Sequence, residues 1–125
     1  MGFSVGQRDV GVIVARYVPE RGDLTWLEFD PQAGHEQAGK RPALILSPKA
    51  YNQRTSLALI VPVTNRIKGY PFEVLLVGCK TTGCVLADQV RSLDWSARKA
   101  ARIESAPRAV IEEVIAKLSV LLLVK

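Results

Sequence analysis

Three polar places in this chain hold side chains able to do chemistry. The first is the stretch with His35, Glu36, Lys40 and Arg41. The second is Thr64 with Arg66 and Lys68. The third is Asp88-Gln89 with Arg91, just after an apolar segment. The chemistry open to such groups is acid–base and electrostatic. Cleaving an RNA phosphodiester without a metal, for example, needs a base to take the 2′-OH proton. It also needs a cation or donor to stabilise the phosphorane, and an acid to protonate the leaving 5′-oxygen. Positioned Glu, His, Arg and Thr can fill those roles. Arg suits a phosphate because its planar fork bonds two oxygens. Thr offers a hydroxyl donor. Each residue taken alone also has a plainer reading. Glu36 and Arg41 could be a solvated ion pair worth ~0–1 kcal/mol. His35 could be a surface histidine, Thr64 a strand end bonded to its own backbone, and Asp88 a turn cap.

Other chemistries are absent from the pattern. Gly34 and Gly39 do not match a dinucleotide fingerprint, and no phosphate-binding glycine loop or serine triad is present. The only histidine is His35, and Cys79 and Cys84 are the only cysteines, too few for a zinc set. They read as reduced residues flanking a turn, Lys80-Thr81-Thr82-Gly83, with a hairpin disulfide under oxidation as the alternative.

At 125 residues, with 48% hydrophobic and 23% charged side chains, the chain is one globular domain, not a disordered or collagen-like segment. The formal net charge of +5 fits either a polyanion partner or simple solubility. No apolar run is long enough to span a membrane, and no signal peptide is evident, so the chain reads as cytoplasmic. Residues 1–15 carry no clear period and read as an extension, either an arm or an over-called start. The domain proper is then 16–125.

The elements that must position the polar residues are mostly strands. Residues 23–30 form a strand stopped by Pro31, with Leu24 and Trp26 on one face and Thr25, Leu27 and Phe29 on the other. Residues 31–40 are a loop, too long for a tight hairpin and so a candidate for function. Residues 43–47 form a buried strand, 48–54 a short helical turn, and 56–63 a third strand. Pro62 in that strand suggests an edge or terminus. Residues 64–70 are a polar, basic loop. Residues 72–77 and 83–87 pair as a hairpin, 89–93 continue as a strand, 96–101 form a short helix or turn, and 102–104 a short strand. Ser105 is a candidate N-cap for a helix from Pro107, with Val110, Ile111, Val114, Ile115, Leu118 and Leu122 on one stripe. The apolar end of that helix must either pack inside or meet a second subunit. Five to seven short strands and a long helix predict a mainly β (α+β) fold, a small barrel with a terminal helix; SH3-like barrels are of this size.

The order of three separated segments points further. GDLTWLEFDPQAGHEQAGKRPALILSP, then PVTNRIKGYPFEV, then GCVLADQVRSLDW resemble the MazF/PemK family of toxin–antitoxin toxins, over about residues 16–125. The resemblance implies an SH3-like β-barrel of the CcdB/PemK type with short helices and a C-terminal α-helix, assembled as a homodimer. It implies sequence-selective cleavage of single-stranded RNA, mainly mRNA, with no metal or other cofactor. The 2′-OH attacks its own phosphate, leaving 2′,3′-cyclic phosphate and 5′-OH ends. A MazE-like antitoxin with an acidic tail blocks the RNA groove.

The same likeness assigns roles. Arg41 stabilises the phosphate and donates a proton, Glu36 is the candidate base, and Thr64 binds the scissile phosphate. Asp88 and Gln89 contact bases or shape the groove, while Lys68, Tyr70 and Phe72 line the RNA path together with His35, Lys40, Asn65 and Arg66. Tyr and Phe can stack on splayed bases. The loop of residues 65–69 helps set the recognised sequence. Two alternatives stand beside this reading. One is a non-catalytic module of the same barrel fold that binds RNA or gyrase; the other is a structural dimerisation domain.

Overall fold

The computed structural model describes residues 16–29 and 39–123. The chain runs β1 (Asp23–Glu28), β2 (Lys40–Ile45), α1 (Lys49–Thr55), β3 (Leu57–Thr64), β4 (Glu73–Leu75), β5 (Cys84–Leu86), β6 (Arg91–Asp94), β7 (Ala101–Ser105) and α2 (Arg108–Leu123). The strands form one antiparallel sheet in the order β4-β5-β3-β2-β1-β7, with β6 also pairing β3. This is the mainly β, α+β architecture expected from the sequence. The hydrogen-bonded ladder itself does not close: β4 and β7 are its two ends.

Strand alternation gives the sheet an apolar layer on each face. Leu44 and Leu46 of the β2 segment, with Val61 and Val63 of β3, join Leu24, Val74 and Val85 in one cluster, which α2 covers through Val110 and Val114. Ala43, Ile45, Ala58 and Ile60 point the other way, onto Leu27, Phe29, Leu93 and Trp95. The short helix α1 is pinned by a buried amide. Asn52 donates to the carbonyls of Pro19 (2.8 Å) and Ser47 (3.0 Å), and its side-chain oxygen accepts from the Ser47 hydroxyl.

Several expectations need correction. β2 begins three residues early, at Lys40, and carries Pro42 opposite Trp26. β3 is a central strand despite Pro62, because β6 pairs its residues 57–60 and β5 its residues 63–64. Pro62 falls in the gap between those two partners, where a missing N–H costs no ladder bond. Ser56 is not in the strand; it ends α1 with a left-handed φ of 62°. Ser105 is the last residue of β7 rather than an N-cap, and its hydroxyl accepts from Arg102. The carbonyl of Pro107 receives the first α2 bonds, from Val110 and Ile111. The α2 stripe also divides. Val110 and Val114 are buried, but Ile115 and residues 120–123 stay exposed, with Leu123 at 79%, so the helix end does not pack inside. Residues 1–15 and the loop residues His35 and Glu36 lie outside the described residues.

Candidate functional site

Arg41 and Thr64 meet at one end of the sheet. The β2–β3 ladder pairs Ala43 with Pro62 and Leu44 with Val61; two residues outside it, Arg41 pairs with Leu27 of β1 and Thr64 with Cys84 of β5, and both line one cleft. The paired residues of this ladder end at Ala43 and Pro62. Beyond that point the strand ends line a cleft of about 540 Å³. Lys40 and Asn65 line it beside Arg41 and Thr64. Trp26 and Ile103 contribute from β1 and β7, and Lys80, Thr81 and Thr82 from the β4–β5 loop.

The local geometry prepares Thr64 as a donor. Its hydroxyl oxygen accepts the Arg66 N–H at 3.1 Å, so its own proton is free to point at a ligand. Its backbone is pressed by Gly83, which has φ +109°. A Cβ there would sit 2.3 Å from the Thr64 carbonyl oxygen, so only glycine allows β5 to start this close to β3. The loop ahead of Gly83 is tied on both sides of the cleft. Thr82 donates its hydroxyl to the Asn65 side-chain oxygen at 3.0 Å. Glu104 of β7 accepts the Lys80 N–H (3.1 Å), the Thr81 N–H (2.7 Å) and the Thr81 hydroxyl (2.6 Å). The Thr81 hydroxyl, then the two N–H groups, hold the Glu104 carboxyl below its ordinary value.

A second, narrower groove of about 210 Å³ shares Thr64 with the first. Arg66, Lys68, Tyr70, Phe72, Asp88 and Gln89 line it, together with Glu73 and Leu86. The Lys68 ammonium lies 5.6 Å from the centre of the Tyr70 ring, within cation–π range. The Glu73 carboxylate shapes the loop by accepting the Gly69 N–H (2.8 Å) and the Lys68 N–H (3.0 Å). From α2, the Lys117 ammonium donates to the carbonyls of Pro71 and Glu73, tethering the same loop to the helix.

The three polar places of the sequence are therefore redistributed. Lys40, Arg41, Thr64 and Asn65 share the larger cleft; Arg66, Lys68, Tyr70, Phe72, Asp88 and Gln89 share the smaller groove. Arg91 joins neither: its guanidinium lies over the Phe29 ring at 5.6 Å. Trp26, Lys80, Thr81 and Thr82 were missed. Trp26 stays 39% exposed because its strand neighbours are Pro42 and Ala101, which do not cover it. The signal for the loop was a lysine with two threonines between Gly78 and Gly83, read only as a turn. Cys79 and Cys84 are free thiols. Burial pushes both above the ordinary thiol value, with the Glu104 carboxylate adding at Cys79 and the Glu73 carboxylate at Cys84. Neither is a low-pKa nucleophile. Among the described residues, no three His, Cys, Asp or Glu side chains gather as a metal-ligand set, and no helix is long and apolar enough to cross a membrane.

Guanidinium, ammonium and hydroxyl groups around an open cleft define a class: a small α+β protein with a cationic, donor-lined cleft. The model of the PemK-like, MazF-like toxins of type II toxin–antitoxin systems matches residues 20–122. The chain is 49% identical over 110 residues to the endoribonuclease toxin MazF of Escherichia coli K12, covering 88% of this chain and 99% of that protein. It is 43% identical over 108 residues to an Escherichia coli endoribonuclease PemK, covering 82% and 81%. A MazE–MazF crystal structure from Deinococcus radiodurans matches with a TM-score of 0.79 and 54% identity, over 85% of this chain and 97% of that one. A MazF structure from the same organism gives 0.78 and 56%, over 86% and 98%. The chain belongs to the PemK-like, MazF-like family of type II toxin–antitoxin toxins.

Proposed function

We propose that this chain is the toxin of a type II module and an endoribonuclease that cuts single-stranded RNA, chiefly mRNA, at selected sequences. The observation that carries the reading is that Arg41 of β2 and Thr64 of β3 line one cleft beyond the end of the ladder between those strands. The relatives named endoribonucleases span nearly the whole domain. In this reading the 2′-OH attacks the adjacent phosphorus, and negative charge grows on the non-bridging oxygens. Arg41 can bond two of those oxygens through its fork, and the Thr64 hydroxyl donates to one. The cation strengthens its contacts as charge develops, which is what lowers the barrier. Arg41 also delivers a proton to the leaving 5′-oxygen. Glu36 is the proposed base. No metal takes part, and the products are a 2′,3′-cyclic phosphate and a 5′-OH.

The smaller groove selects the sequence. Tyr70 and Phe72 offer ring faces for stacking, and Asp88 and Gln89 offer acceptors and donors for base edges. A MazE-like antitoxin with an acidic segment would compete for these basic grooves, with charge speeding its approach. The exposed apolar end of α2, Val120 to Leu123, is covered by a second copy of the chain. The protein acts in the cytoplasm, where its substrate is.

The test is digestion of mixed RNA in EDTA with both new ends mapped. Cyclic phosphate and 5′-OH ends are expected. Intact RNA, or cleavage only after a divalent metal is added, overturns the catalytic reading. RNA that is retarded in a gel but not shortened supports the non-catalytic binding module instead.

A further inference from the structure

We infer that the Lys80–Thr82 segment is a second phosphate-binding wall of the cleft, and that Glu104 is the positioning residue that holds it there. The inference rests on the reading of this cleft as an RNA site. It starts from the sheet order. The hairpin β4–β5 and the strand β7 lie on opposite sides of β3, β2 and β1, and no ladder joins them. The hairpin's loop nevertheless reaches β7, because Glu104 accepts two backbone N–H groups and one hydroxyl from Lys80 and Thr81. One residue later Thr82 is bonded to Asn65, at the end of β3. Consecutive residues are thus tied to the two flanks of the opening that Arg41 and Thr64 share, and the loop crosses it as a wall.

The arrangement has a chemical consequence. Both Glu104 oxygens are engaged by the loop's backbone and the Thr81 hydroxyl, at 2.6–3.1 Å. That fixes where the backbone of Lys80 runs while leaving its ammonium, which has no role in those bonds, on an exposed side chain lining the cleft. A polyanion threading past Arg41 and Lys40 meets a third cation there. The group it fits is a phosphodiester neighbouring the scissile one, since successive phosphates are the repeating charges of a single strand. Lys80 contributes to binding in the ground and transition states alike, so it governs KM rather than kcat.

The experiment uses the full chain and a short, mixed-sequence 2′-O-methyl RNA, which lacks the attacking hydroxyl. Binding is measured across a salt series, and KM and kcat are measured separately on unmodified RNA. Lys80→Ala should lower the slope of log Kd against log salt by about 0.7, the value for one contact on a single strand. Its KM should rise about two- to fivefold with kcat unchanged, the scale of one exposed charge contact. Thr81→Val removes one hydroxyl from the Glu104 clamp and should shift slope and KM in the same direction; Thr81→Ser restores the hydroxyl and should return both. Glu104→Gln leaves one carbonyl oxygen and an amide against three donors, and should act like Thr81→Val or more strongly. An unchanged slope and KM in Lys80→Ala overturn the phosphate wall. Normal slopes in both Thr81→Val and Glu104→Gln overturn the positioning role. If the wild type cuts RNA while these variants match it, only this inference falls. If the wild type neither binds nor cuts RNA, the underlying reading falls and takes this one with it.

Discussion

The two grooves that meet at Thr64 are built differently. The larger is founded on strands: Trp26, Arg41, Thr64 and Ile103 come from β1, β2, β3 and β7, whose backbones are fixed by ladders. The smaller is founded on a loop. Arg66, Lys68 and Tyr70 lie in an extended stretch with no ladder, held by the Glu73 carboxylate and by Lys117 reaching across from α2. The difference matches two demands. Stabilising a developing charge needs donors placed to within about half an ångström, which a sheet supplies. Reading a sequence tolerates, and profits from, a surface that can vary without unsettling the core. The strand-borne Arg41 and Thr64 of the cleft should therefore govern turnover, and the loop-built groove should govern affinity and preference.

The sharpest break of that contrast is Arg41→Ala. Removing the charge that meets the phosphorane should lower kcat about 10²–10³-fold. The side chain is exposed, so the melting temperature should stay within about 2 °C of wild type. A variant with wild-type turnover would dissociate the cleft from catalysis. Next in size is Gly83→Ala. Its φ of +109° and the 2.3 Å approach to the Thr64 carbonyl leave no room for a methyl group. The variant should lose more than ~1 kcal/mol of stability and also lose activity, because β3 must shift at Thr64 to relieve the contact. Denaturant melts alongside turnover assays check this. Unchanged turnover would mean that Thr64 tolerates displacement and is not a precisely placed donor. Smaller again is Tyr70→Ala in the loop-built groove. Loss of one stacking face is worth ~1–3 kcal/mol of binding, so KM should rise about tenfold while kcat holds. A fall in kcat with KM unchanged would erase the division between the grooves.

The sequence made parts of this division legible and hid others. The strands were readable because segments such as ALILS and SLALIVPV are short continuous apolar runs, the mark of strands buried on both faces. Arg41 and Thr64 were readable because they close those same strands, in a segment order that resembles a family. Pro62 misled because a proline in a strand usually marks an edge; here two partner strands share one side of β3 and leave a gap at that residue. Lys80, Thr81 and Thr82 were hidden because what holds them at the cleft is distant in the chain, Glu104 for Lys80 and Thr81 and Asn65 for Thr82, and such contacts have no local signature. Trp26 shares a strand face with the buried Leu24, so its exposure has no signal in the sequence; it depends on Pro42 and Ala101 across the ladder, which only the register reveals. The exposed end of α2 had two readings from sequence alone, and packing removed one of them.

The finest discrimination between the grooves comes from Glu73. Its carboxylate does not line the strand-built cleft, yet it holds the backbone of Lys68 and Gly69 in the loop-built one. Glu73→Gln keeps the shape and one acceptor oxygen but gives up the charge that strengthens both bonds. The loss is ~0.5–1 kcal/mol at the loop, which corresponds to about two- to fivefold in the preference for one RNA sequence over another. Maximal turnover on the preferred sequence should be unaltered, because Arg41 and Thr64 stay on their strands. Competition between two RNAs in one digest reads the ratio directly, free of differences in protein concentration. If the substitution lowers turnover equally on all sequences and leaves the ratio alone, the loop supports catalysis rather than selection, and the two grooves act as a single site.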